Sequence, residues 1–183
     1  MLEEISLQAL LIAFLAMMVL SAFFSGSETA MMALNRYRLR HLAARRHGGA
    51  VRANKLLERP DRLIGLILIG NTLVNTCAAT IATLIALEVL GEDGIAVAPV
   101  VTAVVLIMFC EVLPKTVGAI YPERVAFPAS YLLKPLLWFF YPVVWFANAI
   151  ANGLLLLVGI RVEDVTEMPL SREELRTVVQ EAG

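Results

Sequence analysis

Residues 110–116, CEVLPKT, place Glu111, Pro114 and Lys115 directly after the hydrocarbon-like run VVTAVVLIMF. An ionisable side chain at membrane depth is costly and by default marks a functional site facing protein or a water-filled cavity. Two other apolar stretches carry polar groups of the same kind. In SAFFSGSETA, residues 21–30, Ser21, Ser25 and Glu28 stand at i, i+4 and i+7 and so share one face of a helix. In GNTLVN, residues 70–75, Asn71 and Asn75 stand one turn apart on a common face.

The chemistry these groups offer is oxygen coordination. Glu111 brings a carboxylate, Asn71 and Asn75 neutral amide oxygens, and Ser21 and Ser25 hydroxyls. Pro114 has no N–H and leaves the carbonyl four residues back, that of Cys110, without its helical donor while its ring kinks the helix. Gly26 lets another backbone approach closely, or lets its own helix distort and turn carbonyls toward a ligand. All are hard donors. No histidine or thiolate cluster accompanies them, which turns the reading from zinc, copper or iron toward Mg²⁺, Ca²⁺, Na⁺ or a proton. Each group also has a plain structural use. Glu28, near the end of its span, can snorkel; the two asparagines can clamp a neighbouring helix; Glu111 and Lys115, one turn apart, can pair with each other. Thr72, Thr76, Thr80 and Thr83 form a separate stripe suited to helix contact.

The elements that must position these groups are membrane spans. The chain has 183 residues, 59% of them hydrophobic, with a formal net charge of −1 and a mean hydropathy of +0.77. This is the composition of an integral membrane protein. Three windows reach the roughly 20 apolar residues a span needs, at about 5–34, 63–90 and 95–120. The first is expected to be a span and not a cleavable leader, since it opens with the acidic MLEE and continues into SGSETA. GEDG, between the second and third windows, fits a tight turn in water. The expected class is an all-α integral membrane protein with three spans and juxtamembrane belt helices on the cytoplasmic side.

Nine of the fifteen Lys and Arg residues fall between Arg36 and Arg62. The positive-inside rule makes that segment cytoplasmic and the amino terminus external, and three spans then return the chain to the cytoplasm near YPER. Leu and Ala spacing in the segment is helical, with the cations near lipid headgroups. The stretch 125–160 is long enough for a further span, but Pro128, Pro135 and Pro142 recur every seven residues and are expected to break it, while Lys134, Trp138, Tyr141 and Trp145 suit an interface. Helices in the cytoplasmic leaflet fit this better than a fourth span. From 161 the chain becomes acidic, and Ser171 with Glu174 three residues later is a capping-box pattern, expected to start a polar cytoplasmic helix. Cys77 and Cys110 both lie in spans and give no disulfide or zinc spacing. No Ser/His/Asp set, zinc signature or phosphate loop is present, and His41 and His47 sit in the basic segment, so an enzyme is not expected.

SGSETA, GNTLVN and EVLPKT, in this order and one to a span, resemble the membrane domain of the CorC/CNNM family of magnesium transporters, also called DUF21. The resemblance covers essentially the whole chain. It implies three spans with a belt of juxtamembrane helices, a homodimer in the plasma (inner) membrane, cytoplasmic CBS modules beyond this stretch of sequence, and Na⁺-dependent Mg²⁺ efflux. Residue by residue, it implies that Ser25 and Gly26, Asn71 and Asn75, and Glu111 with Pro114 and Lys115 surround the ion path. Cys110 departs from the family, which often has glycine before the glutamate. The expectation is a secondary transporter that binds Mg²⁺ from the cytoplasmic side near the middle of the spans and releases it outside as Na⁺ moves inward. Glu111 would carry the principal charge, Asn75, Asn71 and Ser25 the neutral oxygens, and Lys115 would compete with the ion for Glu111. A passive cation channel and a non-transporting membrane regulator are the alternatives.

Overall fold

The structure, a computed structural model, describes residues 6–157. The chain order is α1 (Leu7–Ala33), α2 (Arg36–Ala44), α3 (Gly48–Leu56), α4 (Pro60–Leu90), α5 (Glu92–Val105), a π-helical segment (Leu106–Val112), α6 (Leu113–Ile120), α7 (Pro122–Phe139) and α8 (Tyr141–Leu157). No strand occurs among the described residues. Residues through Val144 form one compact unit, and the rest of α8 from Trp145 belongs to a second.

Three elements are long and apolar enough to cross a bilayer: α1 with 27 residues, α4 with 31, and the continuous helix Glu92–Ile120 with 29. At 1.5 Å per residue they measure roughly 40–47 Å, more than the ~30 Å hydrocarbon core. Their dressing is that of helices in lipid. Ile12, Leu15 and Val19 of α1, and Leu68 and Leu73 of α4, are exposed, whereas Ser21, Ser25 and Ser27 are buried. Water would select the reverse pattern.

Local chemistry sets the ends. The Asn35 side chain accepts from the backbone N–H groups of Tyr37 and Arg38 to start α2, and His47 Nδ1 accepts from Ala50 N to start α3. Arg46, at φ 59°, turns the chain between them. Pro60 and Pro122 occupy first-turn positions of α4 and α7, where a missing N–H costs nothing. GEDG is tighter than a four-residue turn. Gly91 alone, at φ 70°, makes the reversal, and Glu92 and Asp93 already belong to the first turn of α5, where acidic side chains favour the helix dipole.

The proline-rich stretch differs from its expected form. Pro128 and Pro135 lie inside a continuous α7, and the break falls only at Phe140, ahead of Pro142. The carbonyls of Arg124 and Tyr131 lose their donors, as proline requires. The packing of Ala126, Ala129, Ser130 and Leu133, all buried at i, i+3, i+4 and i+7, outweighs that loss. This face lies against α1 and α3; beside it the Phe127 ring meets that of His47 at 5.0 Å, tilted by 47°, and Ser130 Oγ donates to Gly49 O of α3 at 3.4 Å. The main core forms where α7, α2 and α3 meet the end of α1 and the start of α4, around Met31, Leu39, Leu63, Ile67 and Leu133.

Candidate functional site

The three spans meet through polar side chains. Ser21, fully buried on α1, donates its hydroxyl to Asn75 Oδ1 on α4 at 2.5 Å, and Asn71 Oδ1 lies 3.3 Å from the same hydroxyl. Asn75 Nδ2 in turn donates to Glu111 Oε1 on the third span at 3.5 Å. One amide orientation serves both bonds of Asn75, so a hydrogen-bond chain runs from hydroxyl through amide to carboxylate. The accounting leaves oxygen in surplus, because Ser21 has a single proton and two amide oxygens face it. Asn71, Asn75 and Glu111 are half-buried. No three His, Cys, Asp or Glu side chains converge among the described residues, so Glu111 stands as a lone carboxylate among neutral donors.

Ser25, one turn along α1 from Ser21, is also fully buried, and its Oγ has no hydrogen-bond partner among the described residues. Ser27 Oγ shares that state, a feature the helical-face pattern Ser21, Ser25, Glu28 does not mark. Buried hydroxyls without partners are uncommon in folded proteins.

The third span reaches Glu111 through a π-helical segment that ends with Leu113 N–H bonded to Met108 O, five residues back. Short π segments mark functional positions in helices. Pro114 follows directly, in the first turn of α6, so the wider winding ends where the residue without an N–H begins. The span runs as one element through the π segment and Pro114 to Ile120.

Gly26 is a place of close approach. A Cβ there would sit 3.3 Å from both Cβ and O of Pro114, and α1 continues as a helix through it. Gly118 answers from α6: a Cβ on it would lie 2.6 Å from Gly26 O and 3.1 Å from Ala30 N. Gly26, Ala30 and Gly118 thus form the small-residue seam that lets membrane helices approach. Gly118 is absent from the sequence-derived set, although Gly26 and Ala30 at i and i+4 hint at such a seam. The seam decides the fate of Lys115. Among the described residues Lys115 Nζ pairs with Glu28 Oε2 of α1 at 3.7 Å, and no ion pair joins it to Glu111. Closing α6 onto α1 carries the ammonium past its own helix to a carboxylate on the neighbour. Glu28 is therefore held in a pair and not simply snorkelling.

Among the described residues, the threonine hydroxyls of α4 that form hydrogen bonds turn back to their own helix. Thr76 and Thr80 bond back to Thr72 O and Thr76 O, and Thr83 to Ala79 O, with Thr72, Thr76 and Thr80 exposed.

Apolar spans that turn Ser21, Ser25, Asn71, Asn75 and Glu111 toward one another and away from full exposure define a multi-pass, all-α membrane domain. The profile of the cyclin M transmembrane N-terminal domain, CNNM, matches residues 11–183, and the chain belongs to that family. It is 51% identical over 163 residues to the UPF0053 inner membrane protein YfjD of Escherichia coli K12, covering 89% of this chain and 38% of that protein. To a UPF0053 protein of Haemophilus influenzae it is 45% identical over 181 residues, covering 99% of this chain and 43% of the relative. A polyamine export protein of Haemophilus influenzae is 26% identical over 186 residues, with 94% and 42% covered. The chain thus spans well under half the length of these relatives. The polar helix expected from Ser171 onward lies outside the described residues, 6–157.

Proposed function

We propose that this domain moves Mg²⁺ across the membrane through a site built on Ser21, Asn71, Asn75 and Glu111, with Na⁺ as the coupling ion. The surplus of acceptor oxygens around one hydroxyl proton, closed on the far side by the Glu111 carboxylate, carries the reading. A cation entering between the spans would replace the Ser21 proton as the partner of two amide oxygens, and its charge would be met by Glu111. Mg²⁺ demands an octahedron of oxygens and gives up its waters reluctantly, so one carboxylate, a few neutral oxygens and retained water suit it. Ser25, buried and unpartnered one turn away, supplies a further hydroxyl on the path. Pro114 and Gly26 hold the α1–α6 approach that sets the Glu111 position, and Lys115 acts on Glu28, outside the coordinating set. Family resemblance supports Na⁺ coupling, a homodimer in the plasma (inner) membrane and CBS modules in the full-length protein. The cluster of cations between Arg36 and Arg62 supports a cytoplasmic α2–α3 side and an external amino terminus.

A second cargo is tested beside Mg²⁺ because one relative is a polyamine export protein. Flux is measured in proteoliposomes with and without an opposing Na⁺ gradient, with Mg²⁺ or spermidine as cargo, for the parent and for folded Glu111→Ala and Asn75→Ala. Na⁺-dependent Mg²⁺ flux lost in both variants supports the exchanger. Mg²⁺ flux indifferent to Na⁺ makes the protein a channel. Spermidine flux without Mg²⁺ flux replaces the cargo, and no flux from a folded parent favours a regulator.

A further inference from the structure

A second feature, independent of the cargo, lies at the end of the bundle where α3, the start of α4 and the end of α7 converge. A cavity of about 680 Å³ there is lined by Arg52, Lys55, Arg59, Arg62 and Lys134, with Glu58 as the one acidic side chain of the lining. None of the five cations pairs with a carboxylate of the described residues. Two are held in place by aromatic rings: Arg52 lies 3.8 Å over Tyr131 and donates to Gly48 O, and Arg62 lies 5.2 Å over Tyr141. Trp138 and Tyr141 complete the wall, the residue types that settle at headgroup level.

A second cavity, about 640 Å³ and almost wholly apolar, opens farther along the same helices, between α1, α4 and α7. Its α4 wall is Leu66, Ile69, Gly70 and Leu73, which continues at helical spacing the face that begins with Arg62 in the basic cavity. Its α7 wall is Leu132, Pro135, Leu136 and Phe139, interleaved with Lys134 and Trp138 of the basic one. A cationic chamber beside aromatic belt residues thus adjoins an apolar chamber at hydrocarbon depth.

We infer that the paired cavities hold one anionic glycerophospholipid from the leaflet on the α2–α3 side, its phosphate among Arg59, Arg62 and Lys134 and an acyl chain in the groove between α1, α4 and α7. Basic pockets between membrane helices bind such headgroups. The apolar chamber assigns the phosphate to a lipid and not to a soluble anion, which has no use for it. The bound lipid would tie the start of α4 to the end of α7.

Native mass spectrometry of the delipidated protein, titrated with phosphatidylglycerol or phosphatidylcholine of matched chains, tests the assignment. The parent is expected to prefer phosphatidylglycerol roughly tenfold or more, and Arg59→Gln/Arg62→Gln/Lys134→Gln to bring that below about twofold. Arg40→Gln/Arg45→Gln, in the same basic segment but outside the cavity lining, should keep the preference. Equal binding of the two lipids by the parent, or an equal loss in both variants, overturns a built site in favour of diffuse surface charge. Displacement of the lipid by equimolar glycerol 3-phosphate would also overturn it, because a soluble phosphate would then be the ligand. A thermal scan of each variant shows whether it is folded. If the triple variant is not, Lys134→Gln alone, on an exposed side chain, must still lower the preference, and an unchanged ratio refutes the lipid site.

Discussion

Gly118→Ala is the substitution for which the structure predicts most. The added Cβ would sit 2.6 Å from Gly26 O, where ordinary contact begins near 3.4 Å, and 3.1 Å from Ala30 N. The deficit of about 0.8 Å is against backbone of α1, which cannot rotate away as a side-chain tip would, so α6 must move. Overpacking of this kind costs about 1–3 kcal/mol, while alanine in place of glycine returns up to about 1 kcal/mol in a helix interior. The net expectation is a loss of roughly 1–2 kcal/mol, or about 2–8 °C in the thermal midpoint for a chain of this size. Gly26→Ala meets Pro114 at 3.3 Å, only slightly short of ordinary contact, and should be near neutral. A shift of α6 by several tenths of an ångström also draws Glu111 from Asn75, already at 3.5 Å, so Mg²⁺ flux of Gly118→Ala should fall more than its stability. The assay is thermal unfolding in one detergent, run with vesicle flux on both variants. Should Gly118→Ala melt with the parent, or should Gly26→Ala be the more damaging of the two, the close seam is not where the structure has it.

Glu111→Gln keeps the shape of the side chain and the bond to Asn75, so its melting point should stay within about 1 kcal/mol of the parent while Mg²⁺ flux is lost; retained flux removes Glu111 from the ion path. Asn75→Ala severs both interhelical bonds at once and should cost about 0.6–2 kcal/mol, the range for such bonds in membranes, read by detergent unfolding. Lys115→Gln breaks a half-exposed pair with Glu28 and should change stability by less than about 1 kcal/mol, with a double-mutant cycle against Glu28→Gln showing coupling and one against Glu111→Gln showing none. Asn35→Ala removes the acceptor of two N–H groups at the start of α2 and should cost about 1 kcal/mol without altering flux per folded molecule.

The spans, their order and the residues to suspect were legible along the chain because the bilayer imposes a length and a polarity that need no partner to be recognised. Every stretch of about 20 apolar residues had to be a helix, and every carboxylate or amide within one had to have a reason. Ser21, Asn71, Asn75 and Glu111 were found that way, and the structure brings all four together. Their grouping into one cluster was not legible, since helical spacing defines a face but not which neighbour it meets. The same blindness explains Lys115. Spacing paired it with Glu111, four residues away, while the closeness of two helices at Gly26 and Gly118 gave it Glu28. Pro128 and Pro135 reveal the converse: a local penalty of a few kcal/mol was visible, and the buried face of α7 that outweighs it was not. The π segment before Pro114 belongs to the same group, because the winding of a helix responds to what packs against it. Solvent thus selects the elements one at a time from composition. Contact between elements, which depends on distances in space, selects the register, the partners and the site.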